Sequence, residues 1–266
     1  MIPNNNAIVL FRFSEQRWID AIIKGELSFS CAKAFVKQAI DTNNEIQGDK
    51  YEGTFARLYP DDRRISEMKE LLRNDLEMIF EGDFVLLRRR SAMFKPIFCF
   101  YAYKAIDALD NIADDAVIGE NIIRHNFDSR MFSGFANGNW NCNVVADDRR
   151  FTILTLQPNY FINRIKFWTK YNNISYVMKP VDYEQQATET FFIEPTEQYE
   201  ELFCKRPRYA YQYECRICLH RKKLLSICDR YTLNIGQLSN REYKKTFQPF
   251  YFDLRATIAK KEHEIQ

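Results

Sequence analysis

Gln212 and Glu214 stand two residues apart in the segment Tyr211-Gln-Tyr-Glu-Cys-Arg216, and in an extended strand that spacing puts both side chains on one face. A glutamine amide there can hold a substrate hydroxyl or amide. The carboxylate beside it can stabilise positive charge that develops in a transition state. The same alternation assigns Arg216 and Cys218 to the polar face, and Tyr211, Tyr213, Cys215 and Ile217 to the core. The competing reading is structural: Glu214 pairs with an arginine or lysine along the sheet.

Three further groups carry candidate chemistry. Arg12 interrupts the otherwise apolar Val9-Leu-Phe-Arg-Phe13, and its planar fork suits a diphosphate; an edge-strand arginine with its head in water is the alternative. Ser28 and Ser30 alternate with Phe29 just ahead of an expected helix, so both hydroxyls can meet a nucleotide sugar or phosphate, while helix capping competes for Ser30. The glycine-bounded Gly48-Asp-Lys-Tyr-Glu-Gly53 presents Asp49, Tyr51 and Glu52, either as the rim of a cleft or as a plain turn.

Basic runs define a different class of function. Arg88, Arg89 and Arg90, then Lys205, Arg206 and Arg208, then Arg221-Lys-Lys223, are interleaved with tyrosines that can stack on bases, as a nucleic-acid binder or nuclease requires. Against that, 38 Lys plus Arg face 36 Asp plus Glu, so no global field draws the chain to a polyanion.

Cys215-Arg-Ile-Cys218-Leu-His220 has a spacing that invites zinc, with Cys204 and Cys228 nearby. A regular strand sends Cys215 and Cys218 to opposite faces, however, and no second paired-cysteine motif occurs, so no metal is expected. The three histidines, His125, His220 and His263, give poor support to a histidine triad. Neither a phosphate-binding glycine loop nor a dinucleotide glycine fingerprint is present, which removes kinase, simple ATPase and ordinary dehydrogenase readings.

The elements that must position these residues follow from periodicity. Residues 7 to 13 read as a strand, followed by a helix capped by Ser14 and ended at Gly25, then a short strand at 27 to 29 and a helix capped by Ser30. Apolar residues at helical spacing predict one long helix over 63 to 81, with Asp61 and Asp62 at its start. Strands are predicted at 84 to 87, 96 to 103, 151 to 156 and 174 to 183, a helix at 159 to 171, and a helix capped by Thr196 running to 203. The turn formers of 133 to 149 mark a mobile connection or an internal division.

At 266 residues with 15% aromatics, the chain can bury a substantial core built on large rings. Seven cysteines form an odd set, which reads as reduced thiols. No apolar run approaches the roughly 18 residues of a spanning helix, and the start lacks a signal-peptide pattern, so a cytoplasmic protein without membrane attachment is expected.

Several of these pieces together resemble a family of bacterial and phage proteins of unknown function. The resemblance lies in an ending of Lys205, Tyr211, Tyr213, Glu214 and Arg216, in the opening strand and helix followed by Gly25-Glu-Leu-Ser-Phe-Ser30, in the turn from Asp49 to Glu52, and in Ile97-Phe-Cys-Phe100 and Val181-Asp-Tyr183. Members occur around phage defence and mobile elements, and their layout is reminiscent of ADP-ribosyltransferases, which split NAD with a strand-borne glutamate. In the arginine-serine-glutamate branch of those enzymes, the matching positions here are Arg12, Ser28-Phe-Ser30 and Gln212-Tyr-Glu214. Phe29 replaces the usual middle threonine, Ser28 follows Arg12 by only 16 residues, and the customary Asn-Asp-Pro turn is absent.

The expectation is therefore one α+β domain with a mixed, mostly antiparallel sheet flanked by helices. It implies a defence or toxin-like protein using NAD as cofactor or substrate. Glu214 and Gln212 would be catalytic, and Arg12, Ser28, Ser30 and Tyr51 would bind the cofactor. An RNA or DNA binder and a non-catalytic protein-interaction factor are the alternatives.

Overall fold

The computed structural model describes residues 7–42, 49–104, 119–126, 151–221, 230–246 and 251–258. The turn-rich stretch at 133 to 149 lies outside them, as do Lys222, Lys223 and Cys228. The architecture is α+β with antiparallel strand pairing throughout its sheets.

Strand β1 (Ala7–Glu15) leads into helix α1 (Gln16–Ile23), β2 (Glu26–Phe29) and α2 (Ala32–Thr42). Neither predicted serine cap forms. Ser14 continues β1 to Glu15, and Ser30 exchanges backbone hydrogen bonds with Ile97, so both hydroxyls escape helix capping. Next come β3 (Thr54–Leu58) and α3 (Arg63–Leu72), where the Asp62 carboxylate accepts from the Arg64 amide at 2.9 Å.

The predicted helix over 63 to 81 stops at Leu72. Arg73 adopts φ 47°, a conformation that no α-helix continues through, and β4 (Leu76–Glu81) then pairs with β5 (Phe84–Arg89) around Gly82 at φ 57°. A short helix α4 (Arg90–Met93) precedes β6 (Ile97–Lys104). The chain continues through β7 (Gly119–Asn126), β8 (Phe151–Leu156), α5 (Pro158–Tyr171), β9 (Ser175–Pro180) and β10 (Phe191–Phe192). In place of a helix from Thr196, only a 3-10 turn at Glu200–Phe203 forms. Strands β11 (Glu214–His220), β12 (Tyr231–Asn234), β13 (Tyr243–Thr246) and β14 (Tyr251–Ile258) follow.

The principal sheet has the order β13-β8-β1-β6-β11-β9, and a smaller one the order β10-β3-β5-β4. Strand β2 pairs with β12 as a separate two-stranded ribbon, and β7 with β14 as another. One face of the principal sheet packs Leu10, Phe98, Phe100, Leu154, Cys215, Ile217 and Leu219 against α1, α5 and the apolar side of the β2–β12 ribbon. The smaller sheet encloses Phe55, Leu58, Val85 and Leu87 with Ile65 and Met68 of α3. Burying side chains of this size contributes roughly 1.5–3 kcal/mol each, which fixes the frame on which the polar residues sit.

Candidate functional site

A cleft of about 350 Å³ opens where the principal sheet meets the β2–β12 ribbon. It is lined by Arg12, Ser28, Ser30, Glu52, Lys205, Gln212, Glu214 and Arg216, all singled out in the sequence, together with Trp18, Cys99, Arg230 and Thr232. Tyr51 lies elsewhere: its hydroxyl donates to Glu81 at 2.5 Å and the Arg206 guanidinium stacks 4.2 Å from its ring centroid.

Strand register explains the convergence. Phe11 pairs with Tyr101, and Tyr101 with Glu214, so these three share a face and Arg12 belongs to the opposite one. Regular pairing would leave Arg12 and Glu214 on different sides of the sheet. The pairing of β1 with β6, however, ends at Phe11–Tyr101, while β1 runs on against β8 to Glu15. Across the opening, the Arg12 guanidinium donates to the Cys99 carbonyl at 2.5 Å and lies 5.2 Å from the Phe98 ring centroid. This parting of two strands gives the two groups a common cleft.

At the other wall the strand begins later than predicted. Residues Pro207–Gln212 form a 3-10 turn and Tyr213 adopts φ 43°, so the alternation starts at Glu214. Gln212 and Glu214 are nevertheless brought together, because Lys205 Nζ donates to both, at 3.1 and 2.5 Å respectively. Within β11, Cys215 and Ile217 enter the main core, whereas Glu214 and Arg216 face the cleft.

Glu214 is only 6% exposed and is held on both oxygens: Lys205 binds Oε2, and Arg216 Nε donates to Oε1 at 2.8 Å. Burial alone would raise its pKa, but the charges of Arg216 and Lys205 outweigh that and hold the carboxyl well below the usual carboxylate range. Glu214 is thus a fixed anion rather than a proton donor. Arg216 in turn binds both oxygens of Glu52, with Nη2 at 3.0 Å from Oε2, and donates to the Leu202 carbonyl. Burial and the Glu214 charge push the Cys99 thiol up, so it is held as a neutral group at the cleft wall. The arrangement can orient a polar ligand, stabilise a cation beside Glu214 and hold an anion at Arg12.

Among the described residues, the basic runs do not combine into an open surface. Arg88 is buried, donating to Thr54 Oγ1 at 3.0 Å and to the Lys50 carbonyl, and Arg89 is buried in a two-bond pair with Glu201 at 2.6 and 2.7 Å. Lys205 is committed to Glu214, and Arg206 binds Asp49 at 2.5 Å. Arg90 and Arg208 remain exposed.

Cys215 and Cys218 enter different apolar clusters, the His220 ring packs edge-on against Tyr199, and among the described residues no group of three His, Cys, Asp or Glu side chains is placed to hold a metal. No helix among the described residues is long and apolar enough to cross a membrane. Sequence reasoning missed Trp18, Arg230 and Thr232 as cleft residues; the alternation of Arg230, Thr232 and Leu233 was the available signal. No protein-family model, curated protein or solved structure matches the chain.

Proposed function

We propose that the cleft binds NAD and that the chain is a toxin-like or defence-type ADP-ribosyltransferase, cytoplasmic and linked to phage or mobile elements. The observation that carries this reading is the arrival of Arg12, Ser28, Ser30, Gln212 and Glu214 at one cleft from segments far apart in sequence. The resemblance described above supplies the biological setting.

In this reading Arg12 pairs with the diphosphate, and Ser28 and Ser30 bond to ribose or phosphate oxygens. The bond between nicotinamide and ribose breaks, its electron pair leaves with nicotinamide, and Glu214 stabilises the cationic ribose carbon. An acceptor nucleophile, positioned by Gln212, then bonds to that carbon and loses its proton. A carboxylate has about four acceptor sites, so the bonds to Lys205 and Arg216 leave capacity for a ribose hydroxyl.

The test is nicotinamide release by the wild type and by Glu214→Gln, with folding followed by circular dichroism. The expected loss is on the order of 10²–10³-fold, as for removal of one transition-state stabiliser. Unchanged turnover in a folded Glu214→Gln protein ends the proposal. A second reading, a cleft that binds a nucleotide without cleaving it, is favoured by the enclosure of Glu214 between Lys205 and Arg216. Saturable NAD binding by the wild type with no nicotinamide release would select it.

A further inference from the structure

We infer that the cleft is built to grip a diphosphate between two arginines, Arg12 on the sheet and Arg230 just before β12 of the ribbon, with the Ser28 and Thr232 hydroxyls beside them. The inference deepens the reading above and rests on it for the identity of the groups flanking the diphosphate.

The ribbon supplies the first half of the case. Thr232 is the register partner of Ser28, so the two hydroxyls stand side by side on one face. Leu27, Phe29 and Leu233 occupy the other face and enter the core. Arg230 precedes Thr232 by two positions and lines the same cleft, its guanidinium 5.8 Å from the ring centroid of Trp18. The polar face of the ribbon thus presents two hydroxyls to the cavity, and Arg230, at the entry to β12, adds a cation beside them.

Charge supplies the second half. The cleft is lined by Arg12, Lys205, Arg216 and Arg230 against Glu26, Glu52 and Glu214, four cations to three carboxylates, which leaves one net positive charge. Lys205 and Arg216 are spent on Glu214 and Glu52. Among the described residues, neither Arg12 nor Arg230 has a carboxylate within 4.0 Å, and Arg12 is half-buried. A half-buried arginine without an anion is tolerated in water but gains most from one.

Guanidinium groups bind phosphate through paired donors, and two of them on separate walls match two linked phosphates better than one. A volume of about 350 Å³ is in the range of a small-molecule pocket. The half-exposed Trp18 ring, at the Arg230 end, then lies where a base joined to that diphosphate would stack.

Calorimetric titration of the full chain with ADP, inorganic pyrophosphate and adenosine tests this. ADP and pyrophosphate are expected to bind, adenosine far more weakly, and rising salt to weaken ADP binding. Arg230→Ala should lose on the order of tenfold to a hundredfold in ADP affinity, the size of one charge-assisted contact, with partial recovery in Arg230→Lys. Because Arg230 is exposed, its unfolding midpoint should not move, so a folding defect cannot imitate the result. Equal binding of ADP and adenosine, wild-type affinity in Arg230→Ala, or no binding of either phosphate compound overturns the clamp. If the clamp holds but NAD is not consumed, the catalytic reading fails alone; if NAD is consumed equally by Arg230→Ala, the clamp fails alone.

Discussion

Glu52 and Arg216, 164 positions apart in the chain, meet as a two-bond ion pair in which each side chain is only 1% exposed. The pair ties the loop before β3 to the middle of β11 and forms part of the cleft lining. Because Arg216 also holds Glu214, the state of Glu52 decides how firmly the candidate catalytic anion is fixed.

Glu52→Ala should therefore destabilise the fold by about 3–5 kcal/mol, since it leaves a buried guanidinium short of charge. The further change Arg216→Met should restore part of that loss by removing the excess buried cation, because Lys205 remains as the partner of Glu214. Urea unfolding of both proteins measures it, and a loss below about 1 kcal/mol in Glu52→Ala would contradict the assignment.

Gly25 fixes the ribbon to the sheet-and-helix layer. It adopts φ +95°, and a Cβ there would stand 2.4 Å from the Gly236 carbonyl oxygen, while its own carbonyl accepts from the Ile235 amide at 2.8 Å. Gly25→Ala should cost at least about 2 kcal/mol through strain and clash together, and it should weaken ADP binding because the Ser28–Thr232 wall shifts. Gly82→Ala is the control: its φ is +57° but nothing lies within 4 Å of the added carbon. It should cost about 1 kcal/mol and leave binding unaltered.

Acid should weaken the protein in a window set partly by Glu242. The hydrogen bonds from Arg164, at 2.6 and 2.8 Å, lower its carboxyl from 4.5 to about 2. A depressed folded-state pKa means that the unfolded chain takes up the proton first as pH falls. The stabilisation is complete above about 4.5 and is lost progressively as pH drops towards about 2. Urea unfolding between pH 6 and about pH 3 should show a shallower pH slope for Glu242→Gln than for the wild type; identical slopes would remove Glu242 from the account.

Much of the frame was legible because apolar runs bounded by turn residues leave few choices. Phe84–Arg89, Ile97–Lys104, Phe151–Leu156 and Pro158–Tyr171 lie close to where periodicity put them. The stretch from Leu76 to Glu81 misled because Leu76, Ile79 and Phe80 fit a helical face, and the break at Arg73 is a backbone event with no glycine to announce it. Arg12 and Glu214 were visible as charges inside apolar strands. Their meeting was expected only from the resemblance and not from periodicity, since the strand register puts them on opposite faces and only the early end of the β1–β6 pairing overrules it. Arg230 and Thr232 escaped notice because their alternation with Leu233 is short and says nothing of a pairing partner some two hundred residues away.

That distant pairing has a consequence for synthesis. Arg12, Ser28 and Glu52 emerge early, but the facing wall is not translated until Thr232. A growing polypeptide can assemble most of the principal sheet and its helices while its pocket still lacks one side, so any ligand meets a finished receptacle only after Thr232 has been added. A chain cut short before Tyr231 should accordingly fold in part and bind nothing.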